Sequence, residues 1–300
     1  MKELPFELKR MLDALGAKEN VPMAQYTSFK TGGSVGILAE PDTAEHTAEL
    51  MRLIEAAGVE HYVIGNGTNL LISDKGLDAI VVRIGEKMAN VERSGRTIVA
   101  GAGASYAAMA KQSVQWGLMG LEWAAGIPGT VGGAVAMNAG AYGGETADAL
   151  KTVIYAENGA IIKETVDKTA FGYRLSPYCA PERIVIEAEF ELNDDDGSAY
   201  EKMTDYNKRR REKQPISYPS AGSVFKRPEG YFAGALIEQA GLKGTRIGGA
   251  EVSTLHAGFI VNACGATSRD VYELIRLVQQ KVKEHSGVQL ETEVKLLGEF

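Results

Sequence analysis

The spacing of apolar residues predicts short strands and helices in the first half of the chain. Asp42 and Thr43 indicate where a helix begins, and Gly58 supplies the left-handed residue that ends it. A second helix is predicted from Ser105 to Trp116. Short apolar runs predict strands at Tyr62–Ile64, Leu70–Ile72, Ala79–Ile84 and Thr97–Ala100. This order of strands and helices is typical of an α+β or α/β fold.

The second half of the sequence contains a predicted strand with one face exposed to solvent. From Ile186 to Leu192, apolar residues alternate with glutamates, and this period of two is the signature of a half-buried strand. An acidic turn, Asn193–Ser198, follows it and separates it from a charged helix that extends to about Lys213. We therefore predict a domain boundary in this turn, with residues 1–196 before it and 197–300 after it. A break near residue 88 would divide the first region into two subdomains.

The last part of the chain predicts one long amphipathic helix and a final strand. Thr267 or Ser268 caps the helix, apolar residues recur along one of its faces, and Gly287 ends it. Residues Gln289–Leu297 then predict a strand.

Composition and charge exclude several classes of function. The 300 residues include 32 Lys and Arg against 39 Asp and Glu, and the net charge of −7 argues against a nucleic-acid partner. Two cysteines and four histidines lack the spacing of metal ligands, so no metal is predicted. The amino terminus does not resemble a signal peptide, and the uncharged stretch Trp123–Gly144 contains seven glycines, too many for a spanning helix. We expect a cytoplasmic protein with no membrane partner.

Glycine is abundant, at 35 residues, and concentrates in three segments: Gly65–Asn69, Gly101–Ser105 and Gly126–Glu145. None of them matches the Rossmann or Walker A pattern. Their exposed N–H groups can bind phosphate oxygens, helped by the polar side chains of Thr68, Asn69, Ser105, Thr130 and Asn138. For Gly101–Ser105 alone, ordinary tight turns are the simpler interpretation. A long loop that is uncharged up to its last residue, such as Gly126–Glu145, is uncommon unless it lines a ligand site.

A basic run, Lys208–Arg211 with Lys213, follows the predicted boundary. The cations can stabilise the carboxyl end of a helix through its dipole. They can equally form a rim that binds the phosphates of an anionic substrate, and the spacing alone favours neither interpretation.

Seven motifs in order carry a resemblance to a known family. They are SFKTGG, GNGTNLLISDKG, GIPGTVGGAVAMNAGAYGGE, GYRLS, PSAGSVFKRP, HAGFIVN and LETEV, and they span about residues 20–298. Together they closely resemble the UDP-N-acetylenolpyruvoylglucosamine reductase (MurB) family of bacterial cell-wall synthesis.

The resemblance implies an α+β fold: an FAD-binding region of the MurB/vanillyl-alcohol-oxidase type with two small subdomains, followed by a C-terminal substrate domain. It implies non-covalent FAD, NADPH as reductant, and reduction of UDP-N-acetylglucosamine enolpyruvate to UDP-N-acetylmuramate for peptidoglycan precursors. The FAD-binding positions it implies are Gly65, Asn66, Gly67, Thr68, Asn69, Gly126, Ile127, Pro128, Gly129, Thr130, Gly132, Gly133, Ala134, Asn138 and Ala141.

The implied reaction adds a hydride to the methylene carbon of the enolpyruvyl group, which drives charge onto the carboxylate oxygens. Fixed positive charge or hydrogen-bond donors must stabilise that charge, and the resemblance assigns this role to Arg174 and Glu293. It assigns Ser223 as the donor of the proton that completes the reduction. From pattern alone, Ser223 is an ordinary loop serine, Arg174 an ordinary surface arginine, and Glu291 as good a candidate as Glu293. The matching positions for substrate are Tyr142, Tyr173, Lys213, Lys226 and His256.

The chain resembles the shorter branch of this family. Arg174 and Ser223 are too close in sequence to enclose the inserted loop that carries a tyrosine over the substrate in the longer branch. Tyr142 and Tyr173 are candidates for closing the pocket instead. Two alternatives stay open: an FAD-dependent alcohol or sugar oxidase of the same fold, and a nucleotide-binding protein without catalysis. Oxidases of this kind often hold their flavin through a histidine, and the three glycine segments contain none.

Overall fold

A computed structural model describes residues 3–300. Its helices are α1 Phe6–Ala14, α2 Ala44–Ala57, α3 Tyr106–Gln115, α4 Val131–Ala136, α5 Thr146–Ala149, α6 Ala199–Lys213, α7 Ala233–Gln239 and α8 Ser268–Ser286. None of the helices in this described part is both long and apolar enough to cross a membrane.

The strands form several small sheets. They are β1 Lys18–Pro22, β2 Ser34–Ala39, β3 His61–Ile64, β4 Leu70–Ile72, β5 Leu77–Arg83, β6 Val91–Ser94, β7 Thr97–Gly101, β8 Leu118–Met119, β9 Gly140–Ala141, β10 Gly144–Glu145, β11 Leu150–Glu157, β12 Ala160–Thr165, β13 Ile184–Glu191, β14 Asn193–Asp194, β15 Arg246–Ile247, β16 Ala250–Val252, β17 Ile260–Asn262 and β18 Lys295–Leu297. The larger sheets have the orders β1-β2-β5-β3, β12-β11-β13-β7-β6 and β15-β16-β17. β9 pairs with β10, β8 with β14, and β4 with β18. This mixture confirms the predicted α+β class.

The chain forms two compact units. The first contains the residues up to Glu19, Gly36–Asn66 and Ala79–Arg209, and the second contains Asn20–Val35, Gly67–Asp78 and Arg210–Phe300. Each unit has its own apolar core. In the first, the five-stranded sheet is antiparallel throughout, with β13 between β11 and β7. In the second, α8 buries one face that carries Val271, Leu274, Ile275, Val278 and Val282.

The predicted helix ends are confirmed where a side chain or a glycine determines them. The Thr43 hydroxyl accepts the His46 N–H and begins α2, and Gly58 ends it with a φ of +59°. Ser105 caps α3 in the same way. Thr267, rather than Ser268, caps α8, which Gly287 closes.

The alternation in β13 is confirmed as well. Ala188 and Phe190 are buried, Glu187 and Glu189 are half-buried, and Glu191 is exposed. The sheet therefore has one face in the core of the first unit, as the period of two predicts.

The predicted final strand Gln289–Leu297 is wrong over most of its length, because only Lys295–Leu297 forms a strand, parallel to β4. Residues before it make isolated contacts instead. The N–H groups of Glu293 and Val294 both point at the Val224 carbonyl, at 2.8 and 3.3 Å. Two consecutive donors on one acceptor interrupt the alternation that a regular ladder requires.

The capping box of α8 supports a stability prediction. Asp270 accepts the Thr267 N–H at 2.9 Å, and this bond holds the pKa of the Asp270 carboxyl below its usual range. A carboxylate whose pKa is lowered by folding stabilises the folded protein at pH values above the unfolded pKa of about 3.9. It loses that effect as the pH falls through the folded pKa.

We expect Thr267→Ala to cost about 1 kcal/mol of unfolding free energy at neutral pH. Asp270→Asn should destabilise at pH 7, and its difference from wild type should shrink in acid. Urea unfolding at pH 7 and pH 3 measures both; a difference that grows in acid would contradict this role for Asp270.

Candidate active site

In the first unit, the glycine segments come together through their main chains. The Val131 N–H donates to the Ala104 carbonyl and the Gly132 N–H to the Ala102 carbonyl, both at 2.8 Å. A Cβ on Gly65 would overlap the Thr130 hydroxyl. One cluster, called the glycine assembly below, therefore contains Gly101–Ser105, the start of Gly65–Asn69 and the segment that begins at Gly126.

The longest glycine segment has more regular structure than the predicted loop. It continues from the 3-10 helix Glu122–Gly126, contains α4, and ends in the hairpin formed by β9 and β10. Thr130 caps α4, and its hydroxyl accepts the Gly133 N–H at 3.2 Å. The prediction of one continuous loop was wrong because a hydroxyl cap is enough to begin a short helix even where glycine is frequent.

Close packing explains why some of these positions must be glycine, but it does not explain Gly133. A Cβ on Gly103 would overlap the Gly85 carbonyl, so Gly101–Ser105 packs where side chains do not fit. Gly133 differs: it is exposed, its φ is not left-handed, and a Cβ there would meet nothing closer than the Thr130 hydroxyl at 3.4 Å. Its missing side chain leaves the backbone of α4 open to a ligand.

The rest of Gly65–Asn69 belongs to the second unit. Gly67 has a φ of +59°, and a Cβ on it would overlap the Tyr26 carbonyl. Asn69 donates from Nδ2 to the Glu293 carbonyl at 3.2 Å and accepts the Lys295 N–H at 3.0 Å. This loop therefore lies directly against the segment that carries Glu293.

Ser223 and Glu293 lie on two segments of the second unit that meet at Val224. The Val224 N–H donates to the Gly258 carbonyl at 2.9 Å, and its carbonyl accepts the Glu293 N–H at 2.8 Å. Ser223 forms an isolated bridge with Phe259 and is half-buried. Residues distant in sequence thus place a hydroxyl and a carboxyl group on adjacent segments.

The structure separates the two glutamates that the sequence could not distinguish. The Glu291 side chain is 72% exposed and pairs with Lys226, with its Oε2 3.1 Å from Nζ. Glu293 is half-buried. Lys226 therefore has a carboxylate partner on the surface, whereas Glu293 is the glutamate whose N–H bonds to Val224, the residue after Ser223.

His256 is held by its own loop. Its Nδ1 accepts the Gly258 N–H at 3.1 Å, and its ring meets Phe259 edge-on at 4.9 Å between centroids. Burial lowers the pKa of the imidazole. A neutral ring whose Nδ1 accepts a bond carries its proton on Nε2.

Arg174 occupies a tight turn of the first unit. Gly172 and Leu175 exchange both main-chain hydrogen bonds, at 3.0 and 3.1 Å, and Arg174 between them has a φ of +56°. Its guanidinium donates to the Gly140 carbonyl at 3.2 Å and lies 4.9 Å from the centre of the Tyr173 ring. Tyr173 itself is 53% exposed.

Asn138 and Tyr142 belong to the same neighbourhood. Asn138 is buried, donates to the Gly172 carbonyl and accepts the Ala147 N–H, both at 3.0 Å, so its amide links the turn of Arg174 to α5. Ala141 lies in β9, and the next residue, Tyr142, stacks on Tyr206 of α6. Tyr206 was not predicted, since neither of the two tyrosines on the highly charged α6 belongs to a recognisable motif.

The basic run has both exposed and paired members. Arg209 pairs with Asp205 at 2.7 Å, one helical turn away, and Lys213 is exposed in the last turn of α6.

The candidate site residues are divided between the two units. The first unit contains Arg174, Asn138, Ala141, Tyr142, Tyr173, Gly65, Asn66 and the segment Gly126–Ala134. The second contains Ser223, Glu293, Lys213, Lys226, His256 and residues 67–69.

Two parts of the chain match known protein families. Residues 35–163 match the FAD binding domain family, and residues 214–297 match the C-terminal domain of UDP-N-acetylenolpyruvoylglucosamine reductase. The UDP-N-acetylenolpyruvoylglucosamine reductase of Alkaliphilus oremlandii is 45% identical over 280 residues, covering 93% of this chain and 92% of the relative. The chain belongs to the UDP-N-acetylenolpyruvoylglucosamine reductase family.

Other members of the reductase family match at similar levels. The reductase of Caldanaerobacter subterraneus subsp. tengcongensis is 45% identical over 298 residues, covering 98% of this chain and 97% of that protein. The crystal structure of the Thermus caldophilus reductase (MurB) superposes with a TM-score of 0.81 at 35% identity, over 93% of this chain and 98% of that one. These findings confirm the predicted fold class and the prediction of an FAD-dependent oxidoreductase.

Proposed function

We propose that this chain reduces UDP-N-acetylglucosamine enolpyruvate to UDP-N-acetylmuramate with NADPH as the reductant and non-covalent FAD as the cofactor. The observation that supports it best is that the Val224 carbonyl, one residue after Ser223, accepts the Glu293 N–H in a member of the reductase family. The same membership favours a reductase over the oxidase and over a binding protein without catalysis. Conversion of the enolpyruvyl compound to UDP-N-acetylmuramate, measured with and without NADPH, tests the proposal.

The residues of the glycine assembly fit a flavin dinucleotide. The exposed main chain at Gly133, where nothing steric requires glycine, suits the close approach of a ligand. Gly65–Asn69 and Gly126–Ala134 would hold the pyrophosphate and ribityl parts, with Asn138 and Ala141 close by. When bound, FAD supplies the reducing equivalents that it has taken from NADPH.

Arg174 and Glu293 would stabilise the charge that develops on the substrate carboxylate. The planar guanidinium of Arg174 matches a carboxylate in geometry, and its turn limits the directions in which it can point. Glu293, if protonated, can donate a hydrogen bond to the same group. Donors that are in place before the reaction lower the barrier because they do not have to reorganise.

Ser223 would deliver the proton to the carbon next to the carboxylate. The next residue, Val224, bonds to Gly258 on one side and to Glu293 on the other, so the main chain that carries the Ser223 hydroxyl is fixed in position. Lys213, Lys226, His256, Tyr142 and Tyr173 would contribute to the substrate pocket. Because the NADPH pool and nucleotide-linked sugars are intracellular, we place the reaction in the cytoplasm, with residues 1–196 as the cofactor region and 197–300 as the substrate domain.

Substituting Gly133 with alanine should separate stability from cofactor binding. We expect Gly133→Ala to raise the unfolding free energy of the FAD-free protein by about 0.5–1 kcal/mol, because alanine favours a helix and has room here. The same methyl group would obstruct the cofactor and weaken FAD affinity about tenfold, or ~1.4 kcal/mol. Flavin fluorescence titration and thermal unfolding measure the two effects.

Gly65→Ala provides the contrasting variant. Its methyl group would overlap the Thr130 hydroxyl, so the FAD-free protein should lose about 1–3 kcal/mol of stability. Wild-type FAD affinity in Gly133→Ala would show that the backbone at Gly133 does not contact the cofactor.

A further inference from the structure

Three non-glycine residues with left-handed backbone lie together in the first unit. Asn138, Tyr142 and Arg174 have φ values of +41°, +55° and +56°. Asparagine adopts this conformation readily, whereas tyrosine and arginine rarely do. Strained backbone of this kind persists only where surrounding contacts hold it, and it concentrates at functional sites.

The hairpin of β9 and β10 connects two of these residues. Tyr142 is in its turn, which Ala141 and Gly144 close as a pair. Gly140, at the base of the hairpin, accepts the hydrogen bond from the Arg174 guanidinium at 3.2 Å. Any shift of the hairpin therefore moves the carbonyl that orients Arg174.

Tyr206 of α6 holds this hairpin in place. The rings of Tyr142 and Tyr206 stack with centroids 4.6 Å apart and planes inclined by 17°. The Tyr142 hydroxyl also donates to the Tyr206 carbonyl at 3.2 Å. Tyr206 packs against the core of the first unit, so it links the hairpin to a fixed part of the fold.

We propose that Tyr206 is a positioning residue for Arg174 and acts through Tyr142 and the Gly140 carbonyl. This inference rests on the proposed function, in which Arg174 stabilises the charge on the substrate carboxylate. Tyr206 sets the direction of the guanidinium without contacting the substrate. A displacement of about 1 Å can reduce a rate about 100-fold. Loss of the stack should therefore slow only the half-reaction in which Arg174 acts, the reduction of the enolpyruvyl substrate.

The test uses Tyr206→Ala and Tyr206→Phe in the FAD-bound enzyme, with the two half-reactions measured by stopped flow. In Tyr206→Ala, we expect reoxidation by saturating enolpyruvyl substrate to slow about 10- to 100-fold. Reduction by NADPH, measured in enzyme saturated with FAD, should keep its wild-type rate. Tyr206→Phe retains both the ring and the main-chain carbonyl, so it should restore the wild-type rate.

Tyr272→Ala is a matched control, because Tyr272 stacks on Phe300 with centroids 4.7 Å apart and planes inclined by 22°. It should leave both half-reactions unchanged. If Tyr206→Ala does not fold, Tyr206→Leu, which retains apolar packing without the stack, replaces it with the same expected result. Wild-type reoxidation in the folded variant, or equal slowing of both half-reactions, would overturn the inference. A wild-type enzyme whose reduced flavin ignores the enolpyruvyl substrate would instead contradict the proposed function.

Discussion

Ser223→Ala is expected to remain a yellow protein that NADPH reduces at the wild-type rate but that the enolpyruvyl substrate reoxidises about 10²- to 10⁴-fold more slowly. This range is what a positioned general acid contributes. The reason is that Ser223 has no part in taking reducing equivalents from NADPH and acts only when carbon receives its proton. Its main chain is held through Val224, which the substitution leaves intact. Stopped-flow absorbance of the flavin measures both steps in the same sample.

Ser220→Ala is the control for this prediction, since it removes a hydroxyl from the same segment at a position with no assigned role. It should behave as wild type in both half-reactions. Equal slowing of reduction and reoxidation in Ser223→Ala would contradict the role of Ser223 as proton donor.

Glu293→Ala is expected to have the second large effect, with reoxidation about 10²- to 10³-fold slower, the range observed when one donor to a developing oxyanion is removed. Glu293→Gln should retain part of the rate, because an amide can still donate a hydrogen bond to the carboxylate oxygens. The main-chain bonds of Glu293 to Val224 and Asn69 do not depend on its side chain, so the fold should tolerate both variants. The rate of reoxidation at saturating substrate measures the effect.

Glu291→Ala tests the choice between the two glutamates. Glu291 is mostly exposed and pairs with Lys226, and surface ion pairs of this kind contribute between 0 and about 1 kcal/mol. We expect at most a small change in substrate affinity through Lys226. A loss of rate as large as that in Glu293→Ala would reverse the assignment of the two residues.

Local signals in the sequence were sufficient for four of the eight α-helices in residues 3–300, namely α2, α3, α6 and α8. Thr43, Ser105 and Thr267 begin helices because their hydroxyl groups satisfy main-chain donors within the next turn, which sequence alone reveals. The final strand was predicted wrongly, because the apolar pattern before Lys295 does not show that two donors share the Val224 carbonyl.

The site itself was predictable only as separate motifs. Nothing in the spacing of Ala102 and Ala104 indicates that their carbonyls accept bonds from the segment after Thr130. Likewise, Glu291 and Glu293 differ through contacts with Val224 and Lys226, which lie far away in sequence. Such long-range contacts have no local signal in the sequence. The motifs of the site could therefore be predicted through a resemblance, but their arrangement in space could not.

The most direct test of the proposed function is an anaerobic visible spectrum of the FAD-bound protein, recorded after NADPH and again after UDP-N-acetylglucosamine enolpyruvate. The proposal predicts that NADPH bleaches the yellow colour and that the enolpyruvyl substrate restores it without oxygen, with one UDP-N-acetylmuramate formed per flavin reoxidised. A flavin that NADPH bleaches but that regains its colour only when oxygen is admitted would contradict it.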